Sequence, residues 1–180
     1  MSMKKILAIC TSIFLLAACN KEVTELPAAT QTGAHTFGAK VDGAFWIPKG
    51  FASIPANDKL EIRVLAGTDI YIYARDFSLS PTETEFEIHL VNVTGPGTYL
   101  LNADVSYPSS TGNYGYYVKR RLTPLDEWIT SSRQTGSVTI TKFDLPNHIV
   151  SGTFQFTAGS IYNAGGVLTV TEGRFDIRTP

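Results

Sequence analysis

Cysteine is almost missing from this 180-residue chain, and both copies, Cys10 and Cys19, fall within the first nineteen residues. The rest therefore has no thiol pair for a disulfide, no thiolate metal site and no cysteine nucleophile. Histidine is scarce too. His35, His89 and His148 are each more than fifty residues apart, so they read as a solvated linker position, a wet strand position and a turn position rather than as a constellation. A Gly-x-Ser-x-Gly elbow, a phosphate-cradling glycine loop, a His-Glu-x-x-His helix and an EF-hand loop are all absent. No segment of the main body sustains a 3.6-residue apolar period, which excludes amphipathic helices as its building blocks. Charge is nearly balanced, 15 basic against 16 acidic residues, and no basic run suits a phosphate backbone, which argues against nucleic acid.

What is present begins at the N-terminus. Lys4 and Lys5 precede the apolar run Ile6 to Leu16, too short for a lasting transmembrane helix and of the length of a signal h-region. Leu16-Ala17-Ala18-Cys19 resembles the lipobox of bacterial lipoproteins, in which the cysteine thiol takes a diacylglyceryl group before the leader is cut away. The resemblance implies a signal peptide over 1–18, lipidation at Cys19, and firm retention through several acyl chains at ~0.8 kcal/mol per buried CH₂. Asn20 is not the aspartate that retains enterobacterial lipoproteins at the inner membrane, so the expected location is the outer membrane. Loss of 1–18 leaves 162 residues, one domain's worth, with 13 basic and 16 acidic side chains.

Residues 19–36 lack periodicity and read as a flexible tether with a reach of roughly 20–25 Å. The domain, 37–180, is all-β. Phe37, Ala39 and Val41 alternate up to an Asp42-Gly43 turn, then Phe45-Trp46-Ile47 returns as a hairpin. Leu60, Ile62 and Val64, then Ile70 to Ala74, give a second hairpin. Phe86, Ile88 and Leu90 alternate with Glu85, Glu87 and His89, which places those three on a wet face; the carboxylates read as solvation rather than as a cation site. Val138 and Ile140 are expected opposite Phe156 and Phe154 across a short turn, with a three-residue loop or a bulge near Gly152. In the last strand the apolar parity changes between Leu168/Val170 and Phe175/Ile177, predicting a bulge at 172–173 with Gly173 at positive φ. About ten short strands divided by turn signals predict a single antiparallel β-sandwich or flattened meander barrel.

One stretch invites a binding hypothesis. Around the loop Pro108 to Gly112 gather Tyr107, Tyr114, Tyr116, Tyr117 and Trp128, whose flat faces and polar tips suit sugar rings and protein partners, although aromatic pairs also stabilise sheets without a ligand.

Taken together, Phe37 to Trp46 (FGAKVDGAFW), Gly97 to Leu100 (GTYL), Gly136 to Thr141 (GSVTIT), Ser151 to Ala158 (SGTFQFTA) and Glu172 to Ile177 (EGRFDI) resemble a domain-of-unknown-function family of Bacteroidota lipoproteins. Such motifs specify turns and strands, and the resemblance implies no catalytic residue, metal or cofactor; the tyrosine-rich stretch departs from the pattern. The expected protein is a monomeric, non-catalytic module, held to a membrane through Cys19, that binds a glycan or protein partner or plays a structural part. The alternatives are a small-molecule-binding barrel, which needs an unfilled interior, and an inhibitor or protective lipoprotein acting on an envelope-targeting enzyme through a protruding loop.

Overall fold

The computed structural model describes residues 23–50, 52–53, 56–78, 82–120, 126–162 and 166–180. The leader and Cys19 lie outside the described residues. Thirteen strands are described: β1 Thr36–Val41, β2 Ala44–Trp46, β3 Ala52–Ser53, β4 Ala56–Asn57, β5 Leu60–Leu65, β6 Asp69–Asp76, β7 Thr84–Leu90, β8 Gly97–Leu101, β9 Tyr114–Lys119, β10 Asp126–Ile129, β11 Gly136–Asp144, β12 Ile149–Ser160 and β13 Val167–Arg178. Eleven form one antiparallel sheet, nine of them in the order β2-β1-β13-β12-β10-β9-β7-β6-β5 with β11 and β8 branching from β12, and β3 and β4 pair apart. The expected all-β architecture is thus observed, as one sheet curled into a half-barrel.

Local chemistry explains the hairpins. Asp42 and Gly43 both hold positive φ, 48° and 83°, the two-residue turn whose twist matches flanking strands, and Ala39 faces Trp46 across it. Ala66 and Gly67 turn β5 into β6 in the same left-handed region, setting Ile62 against Ile72. β12 is the hub: one edge pairs with β13 along nearly its whole length, and the other is shared, its first part with β11 and its last two residues with β10. β8 lies outside β11. The two arms of the sheet, β11-β8 and β10-β9-β7-β6-β5, therefore fork from one strand edge.

Curling brings β1 and β2 over β7. Phe37 lies 5.5 Å from Phe86 and 5.1 Å from Phe154, Trp46 lies 4.7 Å from Phe86, and Tyr117 lies 4.8 Å from Phe86. The Trp46 indole donates to Thr84 Oγ1 at 2.8 Å. Ile70, Ile72, Ala74, Ile88 and Leu90 are fully buried beside them. Beyond β2, Lys49 bridges in parallel to Asp76, the Phe77 amide donating to the Lys49 carbonyl at 2.9 Å. Inward rings thus fill the interior.

Three interior rings lie over glycines. A Cβ at Gly115 would come within 2.9 Å of the Phe156 ring, one at Gly152 within 2.7 Å of the Phe175 ring, and one at Gly173 within 2.5 Å of the Phe154 ring; at Gly136 it would meet the Phe156 Cβ at 2.2 Å. This interleaving corrects the expected β11–β12 register. Val138 pairs with Phe154, Ile140 with Gly152, and Gly136 with Phe156, the Cβ and backbone of Phe156 taking the room that Gly136 leaves on the next strand. The bulge falls in β11, between Ile140 and Lys142, and the turn is the short 3₁₀ segment Leu145–Asn147 ending on His148 at φ 59°.

The β13 bulge is present, but its strained residue is not the expected one. Both ladders of β13 slip by one residue there, so Leu168, Val170, Phe175 and Ile177 are all buried. The positive φ, 52°, belongs to Glu172. Gly173 is glycine because Phe154 lies against it.

Two further corrections concern exposure. His89 is fully buried rather than wet, and Glu87 is 4% exposed, because residues 102–113 cross the outer face above them. The tether is docked over its final part: Thr30, Thr32, Gly33 and Ala34 all donate to Asp176, and Leu26 and Pro27 lie against Gly38.

Gly173→Val should cost about 1–3 kcal/mol through overpacking against Phe154, whereas Glu172→Gly, which relieves a left-handed residue with a Cβ, should be neutral or stabilising. Denaturant unfolding of the two variants checks this; the reverse order would place the strain at Gly173 after all.

Candidate functional site

The five aromatic residues singled out by sequence do not form one exposed surface. β9 carries aromatic side chains at Tyr114, Tyr116 and Tyr117, so successive residues point to opposite faces. Tyr117 and Trp128 join the interior, their rings 6.1 Å apart. Tyr114 and Tyr116 point outward but are 0% and 2% exposed, packed with Val118 beneath Val105, Tyr107 and Ile129. The segment 102–113 is thus a flap over the outer face of β7 and β9.

Under the flap lies a polar cluster. Glu87 accepts from the Tyr114 hydroxyl at 2.5 Å and from the Tyr107 hydroxyl at 2.9 Å. Tyr107 lies flat on Tyr116, centroids 3.7 Å apart and planes 2° from parallel, and Tyr116 donates to Glu127 at 2.8 Å. Tyr114 and Tyr71 donate to the Ser109 carbonyl at 3.1 and 3.5 Å, and Asn113 Oδ1 accepts from the Val91 amide at 2.8 Å. Burial raises the Glu87 pKa, and its two phenol donors only partly oppose that. Burial and the Glu87 carboxylate also raise Tyr107 and Tyr114, so both phenols stay protonated donors at neutral pH.

His89, two residues along β7, stacks on Tyr71 at 4.0 Å and leans on Tyr114 at 5.3 Å. Neither ring nitrogen has a hydrogen-bond partner. Burial lowers its pKa, opposed by the Asp69 charge and by the Gly112 backbone, which lies near the ring without reaching hydrogen-bond geometry. Among the described residues no three His, Cys, Asp or Glu side chains come together in a way that could hold a metal ion.

Charged groups edge the cluster. Glu85 pairs with Arg75 at 3.1 Å and Arg120 at 3.2 Å; Arg63 and Arg75 flank the Tyr73 ring at 5.2 and 5.0 Å. These outward rows are ion-paired rather than free to take a cation.

A second outward carboxylate behaves differently. Asp176, 1% exposed, accepts from Thr30 Oγ1 at 2.6 Å, Ser151 Oγ at 2.7 Å and the Thr32, Gly33 and Ala34 amides at 2.8–3.1 Å. Desolvation pushes its pKa up, but these donors outweigh it and hold the group far below the usual carboxylate range.

Between these two covered patches, the outer face of β8, β11, β12 and β13 is open. Thr98 faces Thr139, which faces Thr153; Leu100 faces Ser137, which faces Gln155; Thr157 faces Thr169. Two shallow clefts of about 420 and 380 Å³ cross this face and meet at Ser137 and Gln155. The first reaches Ala29, Glu172 and Arg174; the second reaches Leu100, Thr157 and Thr169. Sequence reasoning missed this face. The signal lies in the hydroxyl-rich alternate positions of 135–141 and 153–157.

A larger groove of about 550 Å³ runs along the seam between the docked N-terminal segment and the sheet, lined by Val23, Leu26, Phe37, Ile47, Lys49 and Leu60 among others.

Residues 34–177 match the profile of a domain of unknown function, DUF6252. The chain belongs to this family. The DUF6252 match covers the whole eleven-stranded sheet, the flap and the hydroxyl-rich face, and it begins at Ala34, the last residue that Asp176 holds. No curated protein and no solved structure matches the chain.

Asp176→Ala should free the N-terminal segment, speeding amide exchange at Thr32 to Ala34 and costing about 3 kcal/mol. Because the Asp176 pKa is depressed below its ordinary 3.8, its contribution is present above that pH and lost as pH falls below it; an Ala variant whose acid unfolding matches the parent would refute the clamp.

His89→Phe should stabilise by roughly 1–3 kcal/mol at pH 7, since it removes an unpartnered buried imidazole. The His89 pKa is lowered from 6.5, so the unfolded chain takes up a proton first and parent stability falls as pH drops below that value. Melting curves at pH 7 and pH 5 should therefore show the gap between variant and parent widening in acid.

Proposed function

We propose that this DUF6252 protein is a lipid-anchored module of the bacterial outer membrane that holds a neutral glycan chain on the outer face of β8, β11, β12 and β13 without catalysing a reaction on it. The observation that carries the reading is the meeting of the two clefts at Ser137 and Gln155. Hydroxyl and amide groups both donate and accept, which matches the hydroxyls of a saccharide, and the Thr98–Thr139 contact of 3.1 Å indicates how closely spaced these groups are. Protein interfaces concentrate aromatic and arginine anchors at their centres, and the junction at Ser137 and Gln155 carries neither, with Leu100 as its apolar neighbour. Glu172 and Arg174 at one end form an ion pair at 3.8 Å, suited to hydrogen bonding rather than to proton transfer.

The anchor reading rests on the lipobox-like Leu16 to Cys19 and gains support from the Asp176 clamp. A chain pinned at Thr30 to Ala34 leaves the domain at a fixed point beside the cleft, so a lipid at Cys19 would set which face looks away from the membrane. The inward rings support binding on the outer face rather than in a barrel interior. Monomeric action and Bacteroidota lipoprotein character belong to the same proposal.

Ser137→Ala with Gln155→Ala removes two polar groups at the junction and should weaken binding of envelope polysaccharide or peptidoglycan fragments about tenfold, with little change in melting temperature. Equal affinity in calorimetry would reject the face. Separately, Cys19→Ser should abolish incorporation of labelled fatty acid, and label retained by the variant would reject the anchor.

A further inference from the structure

We propose that the patch beneath the 102–113 flap is a second binding site, for a hydroxylated sugar ring, and that Tyr107 is its built-in occupant. Tyr107 holds the place such a ring would take. Its face lies on Tyr116 at 3.7 Å, its side meets Tyr114 edge-on at 6.4 Å, and its hydroxyl reaches Glu87 at 2.9 Å. Floor, wall and carboxylate all come from β7 and β9, in the middle of the sheet, rather than from the flap. A pyranose could stack its apolar face on Tyr116 and donate a hydroxyl to the Glu87 oxygen that Tyr107 now occupies.

His89 provides an independent indication. It is fully buried beside this patch with both nitrogens unpartnered, and a polar group so placed raises the free energy of the closed arrangement. Lifting the flap would give the imidazole water or a ligand hydroxyl, so opening regains part of what it loses. The flap itself has no ladder hydrogen bonds within the sheet. It is held through the Ser109 carbonyl, Asn113, Asp104 and the Tyr107 hydroxyl.

The ligand class rests on the glycan reading above, but the surface is different, so the test is run on a Ser137→Ala, Gln155→Ala background in which the open face is weakened equally in every protein compared. Full-length protein carrying Tyr107→Ala is titrated calorimetrically with maltotetraose, cellotetraose and chitotetraose. At least one probe should bind about tenfold or more tightly than it binds the same background with Tyr107 intact, since removing the resident ring abolishes the penalty of displacing it. Adding Tyr116→Ala should erase the gain. A Tyr107→Ala protein with parent-like near-ultraviolet circular dichroism and no gain for any probe overturns the proposal, as does a gain that survives Tyr116→Ala. Should Tyr107→Ala fail to fold, Tyr107→Phe keeps the stack while freeing one Glu87 oxygen; it should show a smaller gain for the same probe and faster amide exchange at 102–113 when saturated, and the absence of both overturns the proposal equally.

Discussion

Rings lying over glycines fix the β11–β12–β13 core, and much of the remaining geometry follows from that constraint. β12 presents Phe154 and Phe156 inward on alternate residues, each set between one glycine and one valine: Phe154 between Gly173 and Val138, Phe156 between Gly136 and Val170. Phe175 in turn leans over Gly152. At organic-crystal packing density a Cβ at either glycine would collide with the phenylalanine opposite it. The bulge at Glu172 is a consequence. It shifts β13 by one residue so that Gly173 meets Phe154 while Val170 still faces inward across from Phe156, and the left-handed strain is carried by an exposed glutamate whose side chain finds Lys40 at 2.6 Å.

With the interior so filled, chemistry is confined to the outside of the sheet, and there the two buried carboxylates make an instructive pair. Both are covered by chain rather than solvent. Asp176 receives backbone and hydroxyl donors from several residues and is held ionised; Glu87 receives only two phenols and is pushed toward its neutral form. Desolvation is the leading influence at both; Asp176 has more donors to oppose it, and at Glu87 the neighbouring Glu85 charge adds to it. A strong clamp marks a permanent junction, here between the N-terminal segment and the sheet. A weakly satisfied carboxylate beside an unpartnered histidine marks a cover that is held less firmly.

Much of the fold was legible in sequence because turns and alternation are local. Asp42-Gly43, the strand Phe86 to Leu90 and the parity change in β13 all follow from φ preferences and a period of two. What was not legible depended on partners distant in the chain. The β11–β12 register depends on the bulge between Ile140 and Lys142 and on the close approach of Phe156 to Gly136 across the ladder, and the residue at positive φ could not be told from its neighbour because Gly173 is required for space and not for conformation. β9 was hidden for a different reason. Aromatic side chains on both of its faces, Tyr114 and Tyr116 on one and Tyr117 on the other, erase the alternation by which a half-covered strand is recognised, and the same feature made five aromatics look like one surface. His89 looked wet because nothing in its own strand announces that a segment twenty residues later lies across it.

That crossing is dictated by topology. β7 belongs to the arm of the sheet that leaves β12 through β10 and β9, whereas β8, next in sequence, belongs to the other arm, outside β11. A chain that has gone from one arm to the far edge of the other must come back to insert β9 beside β7, and antiparallel neighbours in the sheet leave it no path but over a face. The inner face is occupied by packed rings, so the return runs over the outer one, as residues 102–113. The reverse link from β10 to β11 passes the same fork, and the two connections meet where the Ser132 amide donates to Asp104 at 2.8 Å. Forking at β12 thus leaves the faces of β8, β11 and β12 bare and the faces of β7 and β9 covered, and it places one open surface and one lidded surface side by side on a sheet whose core allows neither to lie within.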